Sequence, residues 1–518
     1  MRKRLLSLML VLILLAGCLF ACGDGGGGGG GDGGSAGGGE KHIVMADSKG
    51  EDSLDPTFSY SSWYDTRYGI LETLYRLDSS LELQEWLGTD YQNIDERTWQ
   101  VTIRDDVNFS NGTKLTAQAV ADALTYNCQN NGYVPEAFKT ATFTADGQTL
   151  TIQTVDPSPT MIYDLTDPFY CIMDVHSGTD FATNPIGTGP YIVDSFTAKS
   201  SCTLHANENY WGGEPKIQTV EYRVIMDTDT MSMAIQNGEI DWATGVSAEN
   251  VSLFEDNENY NVYEEPTGRL FFLYFNMNNE HLAKVNVRRA ICMAMDKETM
   301  CEELLSGSST PTYAVFPDSL PFGDSTLDYD GYDFDAAVEL LAQEGYEKDS
   351  GGTLLYEGEP VHIRVVTGGS RPEALLLAEG IMVTLGELGF ETEMINSADD
   401  TRTVMSTDEF ELGFYNRMTA PTGDAYAMLS STFGTDAYAN YSHYSNERVD
   451  ELLAELEVEM DTDRRNQLAI DIQQQVLDDA AVLNFCHLKT FVITGANVTG
   501  VQVDPNEYYH LSIDLDIN

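Results

Sequence analysis

The chain has 518 residues and carries 83 Asp and Glu against 28 Lys and Arg, a formal net charge of −55. A surface this negative repels phosphate backbones and anionic lipid headgroups, so the composition argues against a nucleic-acid-binding protein. The length is enough for a large core and for two or more domains. Acidity alone identifies no ligand, and it is compatible with solubility in a salty or cation-rich exterior.

The first residues combine three features of an export signal. Basic residues at 2–4 precede an uncharged apolar run at 5–15, and Leu-Ala-Gly then leads to Cys18. This order resembles the lipobox of bacterial lipoproteins, in which the Cys takes a lipid and becomes the new N-terminus. Cys22, after Leu-Phe-Ala, is the alternative lipidation position. Because the apolar run is short for a membrane span of about 20 residues, we expect a cleaved signal peptide at 1–17.

A glycine-rich segment follows the candidate lipidation site. From Gly23 to Gly39 nearly every residue is Gly, and such a chain cannot bury enough apolar surface to fold. As a flexible coil it has a reach of roughly 20–25 Å. We therefore expect residues 18–40 to form a lipidated Cys with a tether, and the folded body to begin at residue 41.

The body is predicted to mix strands and helices. Alternating polar and apolar residues predict strands, and apolar residues spaced three and four apart predict helices. The predicted strands are 42–46, 98–104, 143–155 with a turn at Gly147, 191–193, 273–276 and 480–494. The predicted helices are a segment ending at Asn127 and capped by Thr116, then 286–305, 372–389, 446–458 and 463–478. No internal repeat and no long linker interrupt this series.

Motifs that carry catalysis are missing from the sequence. It contains no Gly-x-Ser-x-Gly elbow, no His-Glu-x-x-His and no phosphate-binding Gly-x-x-x-x-Gly-Lys loop. The Gly187–Pro190 segment is interpreted as a tight turn before a strand. Six cysteines lie in the body, none in a Cys-x-x-Cys pair: Cys128, Cys171, Cys202, Cys292, Cys301 and Cys486. We therefore expect no enzyme, no metal and no cofactor, and an exported hydrolase stays as the alternative from another class.

Several blocks occur in the order found in the extracytoplasmic solute-binding proteins of peptide and nickel ABC importers, the family-5 group. The most specific block is Thr98–Ala117, with its strand, Asn-Gly turn and Thr-Ala helix start. The other blocks are Ser53–Pro56, Leu71–Tyr75, Asn184–Tyr191, Asn209–Gly212, Asn237–Asp241 and Val287–Ala290 with Asp296. The resemblance covers about 42 to 500, essentially the whole body.

The resemblance implies an α/β, two-lobed periplasmic-binding-protein fold of type II, with an extra subdomain inserted in lobe one. Lobe one would comprise 41–65, 184–271 and 486–518, the inserted subdomain 66–183 and lobe two 272–485. The lobes would close over the ligand by a hinge movement. The hinge is expected near Phe271–Phe275 and Phe485–Leu488.

Ligand residues are also implied by the resemblance. In dipeptide-binding relatives, an Arg directly before the Pro of a helix holds the ligand carboxylate, and Arg371-Pro372 matches that pattern. A guanidinium pairs well with a carboxylate, although Arg371 could instead serve a structural ion pair. Tyr60 and Trp63 follow the Leu-Asp-Pro block, where relatives line the cleft, so they either stack on ligand or pack in the core.

One position departs from the family pattern. Those relatives bind the peptide amine with an Asp after an aromatic strand end, and here Met418 stands in its place. The next acid is Asp424, and the preceding Arg417 favours a second anionic group on the ligand. The departure puts a contact to a free α-amine in doubt.

The sequence thus predicts a lipid-anchored, monomeric binding protein outside the cell that captures peptides and delivers them to a membrane permease with its ATPase. The same-fold alternative is a nickel chelate or another small organic acid.

Overall fold

The computed structural model describes residues 40–78, 81–368, 372–397 and 401–518. The strands are β1 (His42–Asp47), β2 (Tyr75–Leu77), β3 (Leu83–Glu85), β4 (Gly88–Asp95), β5 (Thr98–Ile103), β6 (Thr142–Asp146), β7 (Thr149–Gln153), β8 (Tyr191–Thr197), β9 (Ser201–Ala206), β10 (Thr219–Val224), β11 (Trp242–Thr244), β12 (Tyr260–Phe275), β13 (Ser309–Pro311), β14 (Tyr346–Lys348), β15 (Leu354–Tyr356), β16 (Glu359–Pro360), β17 (His362–Gly368), β18 (Glu391–Ser397), β19 (Leu412–Met418), β20 (Val482–Gly495), β21 (Val498–Thr499) and β22 (Asp516–Ile517).

The helices lie between these strands. They are α1 (Ser61–Arg67), α2 (Ala117–Asn130), α3 (Glu136–Lys139), α4 (Met161–Asp164), α5 (Thr228–Gln236), α6 (Ala248–Glu255), α7 (Val285–Met293), α8 (Lys297–Glu303), α9 (Phe334–Gln343), α10 (Pro372–Leu388), α11 (Thr401–Met405), α12 (Tyr426–Phe433), α13 (Glu447–Val458) and α14 (Thr462–Asp478).

One mixed sheet runs through the body in the order β18-β17-β19-β12-β20-β11-β1-β10-β9-β8, and β13 pairs with β20. The half from β11 to β8 belongs to the N-terminal part of the chain. The half from β18 to β19 belongs to residues 362–418. A separate sheet of order β4-β5-β7-β6 carries α2 on one face and has its own core between residues 74 and 186.

The two halves of the main sheet are joined by β12 and β20, which pair antiparallel along most of their length. Their register breaks between Pro266 and Leu270, and again between Phe271 and Phe272. At the first break the Thr267 hydroxyl donates to the Leu488 carbonyl at 2.7 Å. Such breaks bend a strand and increase its local twist. The hinge at 271–275 and 485–488 and the lobe boundaries stay predictions.

A buried carboxylate holds the resembling blocks together. Glu72 is 0 % exposed, and both of its oxygens accept hydrogen bonds from residues far apart in the chain. The donors are Trp86 Nε1 at 2.7 Å, Tyr210 OH at 2.7 Å, Thr188 Oγ1 at 2.8 Å, Trp211 Nε1 at 3.0 Å and Arg76 Nη2 at 3.3 Å. A buried charge is tolerated because it is paired and fully hydrogen-bonded.

The glycines between residues 187 and 190 serve close packing. Instead of a tight turn, the segment bends against the backbone at Gly69 and Ile70. A Cβ at Gly187 would lie 2.0 Å from the Ile70 carbonyl oxygen, and one at Gly189 would lie 2.2 Å from the Gly69 oxygen. Only a residue without a side chain fits at these two positions.

Most of the predicted elements are confirmed, one is wrong and one is confirmed but too short. The predicted helix 286–305 is two helices, α7 and α8, because Asp296 accepts from the Thr299 N–H at 3.1 Å and starts a new helix. The predicted strand 273–276 is the end of β12, which begins at Tyr260. Pro266 and Gly268 hide this strand in the sequence, since both residues are depleted in strands.

Candidate ligand site

Aromatic rings form a cluster beside the start of α1. The Tyr60 ring stacks on Tyr133 with centroids 4.7 Å apart, and its edge meets Trp63 at 5.0 Å. Phe169 lies 5.8 Å from Tyr60, and Tyr508 lies 5.2 Å from Trp63. Tyr60 is 39 % exposed, so part of this cluster is open to a ligand. Such faces favour planar or apolar groups and cations, and the Tyr hydroxyls add hydrogen-bonding capacity.

Guanidinium groups lie near the same cluster. Arg417 is at the end of β19, where it pairs with Leu270 of β12. Burial raises the pKa of the Tyr60 hydroxyl, and the positive charges of Arg402 and Arg417 act in the opposite direction. Residues far apart in the chain therefore share one electrostatic environment. An Arg beside partly exposed aromatic rings is suited to a carboxylate carried on a compact solute.

Among the described residues, the hydrogen-bond partners of the Arg417 side chain are all uncharged. Its Nη1 donates to the Ser431 hydroxyl at 3.1 Å and to the Thr432 hydroxyl at 3.4 Å. No carboxylate within the described ranges forms an ion pair with it. In a chain with a net charge of −55, a half-buried Arg without a carboxylate partner is available to pair with an anionic group of a ligand.

Asp424 is engaged within the protein. Its Oδ2 accepts from the Arg465 guanidinium at 2.7 Å, and its Oδ1 accepts from the Tyr426 N–H at 2.8 Å. Arg465 also donates to the carbonyls of Leu456 and Glu459. Asp424 therefore fixes the segment after β19 onto the helices α13 and α14. The ligand-binding role expected for Asp424 stays a prediction.

A buried carboxyl group, that of Asp167, lies next to the aromatic cluster. Asp167 is 8 % exposed and accepts from the Phe169 N–H at 2.9 Å. Burial raises the pKa of Asp167 to about 6, although this hydrogen bond and the neighbouring Trp63 oppose the shift. The carboxyl thus titrates closer to neutrality than an exposed Asp does.

Some expected site residues fall outside the described residues. Arg371, Cys18 and Cys22 lie there, so the roles expected for them stay predictions. In the ranges that are described, no group of three or more His, Cys, Asp or Glu could hold a metal ion. Within the same ranges the six body cysteines are free thiols, and no helix is long and apolar enough to cross a bilayer.

Tyr60 and Trp63 are therefore in contact, Arg417 acts electrostatically on the Tyr60 hydroxyl, and Asp424 is bound to Arg465. The sequence did not reveal the contributions of Tyr133 and Phe169. Neither residue lies in a resembling block, and no spacing along the chain relates them to Tyr60.

A two-lobed α/β body with its sheet halves joined by two shared strands defines the class of extracytoplasmic solute-binding proteins. The family model for bacterial extracellular solute-binding proteins, family 5 (middle), matches residues 82–445, and the chain belongs to this family. Its members are solute-binding proteins of ABC importers that act outside the cytoplasm.

Among curated relatives, the nickel-binding protein NikA of Staphylococcus aureus is 25% identical over 451 residues, 87% of this chain and 89% of that protein. The glutathione-binding protein GsiB of Shigella dysenteriae is 23% identical over 535 residues, 98% of this chain and 97% of that protein.

Solved structures of other proteins share the fold of this chain. A nickel ABC transporter structure from Bacillus halodurans has a TM-score of 0.80 and 28% identity, and covers 92% of this chain and 100% of that one. NikA from Brucella suis, solved in complex with Fe(III)-EDTA, has a TM-score of 0.83 and 22% identity with the same coverage. The two-lobed fold predicted from the sequence is confirmed.

Proposed function

We propose that this protein captures a small carboxylate-bearing solute, with a metal chelate as the leading ligand, and delivers it to the permease and ATPase of an ABC importer. The observation that carries this proposal is Arg417, whose described partners are neutral hydroxyls, beside the partly exposed ring of Tyr60. A carboxylate of the solute would form an ion pair with the guanidinium, and the aromatic rings would pack on the rest of the solute.

The described residues favour a chelate over a bare metal ion. They offer no cluster of three metal-ligating side chains, so a metal would have to arrive with its own organic ligands. The relatives solved or named with nickel, and the complex with Fe(III)-EDTA, are consistent with this choice. A chelate that carries carboxylates can accept hydrogen bonds from Arg417, and its organic part can pack on the ring of Tyr60.

Peptides are the second candidate, and two observations favour them. Arg371-Pro372 matches the carboxylate-holding pattern of dipeptide-binding relatives, and a glutathione-binding relative spans nearly the whole chain. Against them, the acid expected to bind the peptide amine is replaced by Met418, and Asp424 is paired with Arg465.

Calorimetry on the untagged chain from residue 41 tests both candidates. The probes are Ni(II) with two L-histidines, Ni(II) alone, L-histidine alone, glutathione and a dipeptide, each added to metal-free protein. Binding of the nickel–histidine complex, with neither component binding alone, would support the chelate. Binding of glutathione or the dipeptide only would replace it by the peptide. No binding by any probe would contradict the proposed solute class.

Arg417→Ala tests the site itself. Loss of a hydrogen-bonded charge pair costs about 1.5–3 kcal/mol, so affinity should fall at least tenfold. The matched control is Arg448→Ala, because Arg448 is exposed and pairs with Glu451 three residues further on the same helix. Unchanged affinity in a folded Arg417→Ala protein would remove this residue from the site.

We further propose that the solute is bound without turnover and that the protein is held at the membrane by a lipid on Cys18. The solute recovered after unfolding should have its original mass. A cleaved product would instead support the exported hydrolase.

A further inference from the structure

A cavity lies between α7, α14 and the start of β20. Its volume is about 220 Å³, and none of its lining residues belongs to the aromatic cluster or to the arginines beside it. Its walls are partly apolar, from Met293, Leu477 and Val482 among others. The size is below that of pockets for drug-sized ligands, which suits a small metabolite.

The inner wall carries a buried ammonium group without a counter-ion. Lys297 is 3 % exposed, donates to the Thr312 carbonyl at 3.0 Å and lies 3.6 Å from the centre of the Tyr313 ring. No carboxylate in the described ranges forms an ion pair with Lys297. Asp324 acts on it from a distance only, and its oxygens already accept from other groups, among them the Tyr329 hydroxyl.

The Lys297 amine is charged at neutral pH although it has no counter-ion among the described residues. Burial lowers the pKa of Lys297 to about 8, so the amine is still mostly protonated at pH 7. The neighbouring Cys292 thiol does not balance the charge, because burial raises its pKa to about 11. A buried ammonium that lines a cavity and has no counter-ion is stabilised when an anion enters.

An acceptor without a donor lies on the same wall. Asn484 is 3 % exposed, and its Nδ2 donates to the Tyr313 carbonyl at 2.8 Å. Its Oδ1 is buried and has no hydrogen-bond partner. A buried acceptor without a donor is unfavourable, and an N–H or O–H donor of a ligand would satisfy it.

The rim of the cavity has the opposite charge. Three exposed aspartates lie there, Asp328, Asp330 and Asp478, with Arg289 beside Asp478. A ligand with an anionic end at the inner wall and a cationic donor near the rim would satisfy both groups of charges. This pattern selects a zwitterion over a simple acid or a simple amine.

We infer that this cavity binds a free α-amino acid, with the carboxylate at Lys297 and the ammonium group between Asn484 Oδ1 and the acidic rim. The cavity is then a second small-molecule site, separate from the candidate ligand site at Tyr60 and Arg417. The inference rests on the cavity and does not depend on the proposed solute.

Methyl NMR on the full body from residue 41, labelled with ¹³C-methyl methionine, tests the inference. Met293 lines the cavity, and Met418 lies next to Gly268, at the first register break of β12. The Met293 and Met418 resonances are assigned with the variants Met293→Leu and Met418→Leu. Titration with L-serine should shift the Met293 methyl resonance. L-Lactate, which lacks the ammonium group, and ethanolamine, which lacks the carboxylate, should bind at least tenfold more weakly.

Two variants localise the effect. Lys297→Gln keeps an N–H donor and removes the charge, and Asn484→Ala removes the unpaired acceptor; each should weaken L-serine binding at least tenfold. The matched control is Lys284→Gln, because Lys284 lies over the Tyr356 ring outside the cavity. Three results would each overturn the inference: no shift at 20 mM L-serine, a shift confined to Met418, or unchanged affinity in a folded variant.

Discussion

Replacing Glu72 by Gln should destabilise the native state strongly, because this one carboxylate accepts from five donors. Oε1 accepts from Trp86, Tyr210 and Arg76, and Oε2 accepts from Thr188 and Trp211. In the best orientation of the amide, its oxygen retains the first set and its NH₂ group faces the second. The Thr188 hydroxyl can turn to accept, but the Trp211 indole N–H then meets another donor.

The magnitude follows from those contacts. One charge-assisted hydrogen bond is replaced by a donor–donor contact, at a cost of about 1.5–3 kcal/mol. The Arg76 guanidinium also loses its buried counter-charge, and breaking a buried ion pair costs about 3–5 kcal/mol where no water can enter. Because Arg76 is 18 % exposed at its side chain, only part of that cost applies. We expect a total loss of about 3–5 kcal/mol in the free energy of unfolding.

Urea unfolding followed by tryptophan fluorescence measures this loss. Two of the five tryptophans, Trp86 and Trp211, are hydrogen-bonded to Glu72 and report on the site directly. The matched control is Glu85→Gln, since Glu85 is exposed at the end of β3. A loss below about 1 kcal/mol for Glu72→Gln, with the same slope as the parent protein, would refute the view that this carboxylate joins the blocks.

Three further predictions concern separate parts of the chain. Arg371→Ala should weaken a carboxylate ligand by about 1.5–3 kcal/mol in calorimetry, and full affinity in the folded variant would exclude the contact. Because burial raises the pKa of Asp167 from 3.8 to about 6, the native state binds the extra proton in this interval and stability falls as pH rises from about 4 to 6. Asp167→Asn should therefore raise the thermal midpoint at pH 7.5 and leave it unchanged at pH 4; an equal change at both values would contradict this reasoning. Cys18→Ser should abolish incorporation of labelled palmitate in a bacterial host, whereas incorporation that is lost only in Cys22→Ser would move the lipid to the alternative position.

Sequence reasoning succeeded where the cause is local. Thr116 accepts from the Ala119 N–H at 3.2 Å and caps α2, as its position before an apolar helical pattern predicts. Gly147 has φ +60° in the turn between β6 and β7, and Gly389 has φ +98° after the last residue of α10. These features depend on a few neighbouring residues, and the chemistry of those residues is visible in the sequence.

The elements that sequence reasoning missed depend on contacts between distant residues. β12 is 16 residues long despite Pro266 and Gly268, because β20 pairs with it on either side of that segment and β19 pairs with it from Arg269 onward. Strand formation here is decided by pairing across the sheet and overrides the low strand preference of those two residues. The break at Asp296 was missed for the reverse reason, since the apolar spacing continues through it while the Asp side chain starts a new helix.

For the candidate site, the sequence by itself determined the types of residue available and the family resemblance that points to them. It placed Arg417 at the end of a strand and Tyr60 and Trp63 after the Leu-Asp-Pro block. Only the tertiary structure decided that these groups share one environment and that Asp424 is neutralised by Arg465. The physical reason is that charges and rings act over a few ångströms in space, and the folding of two shared strands brings together residues that the chain separates by hundreds of positions.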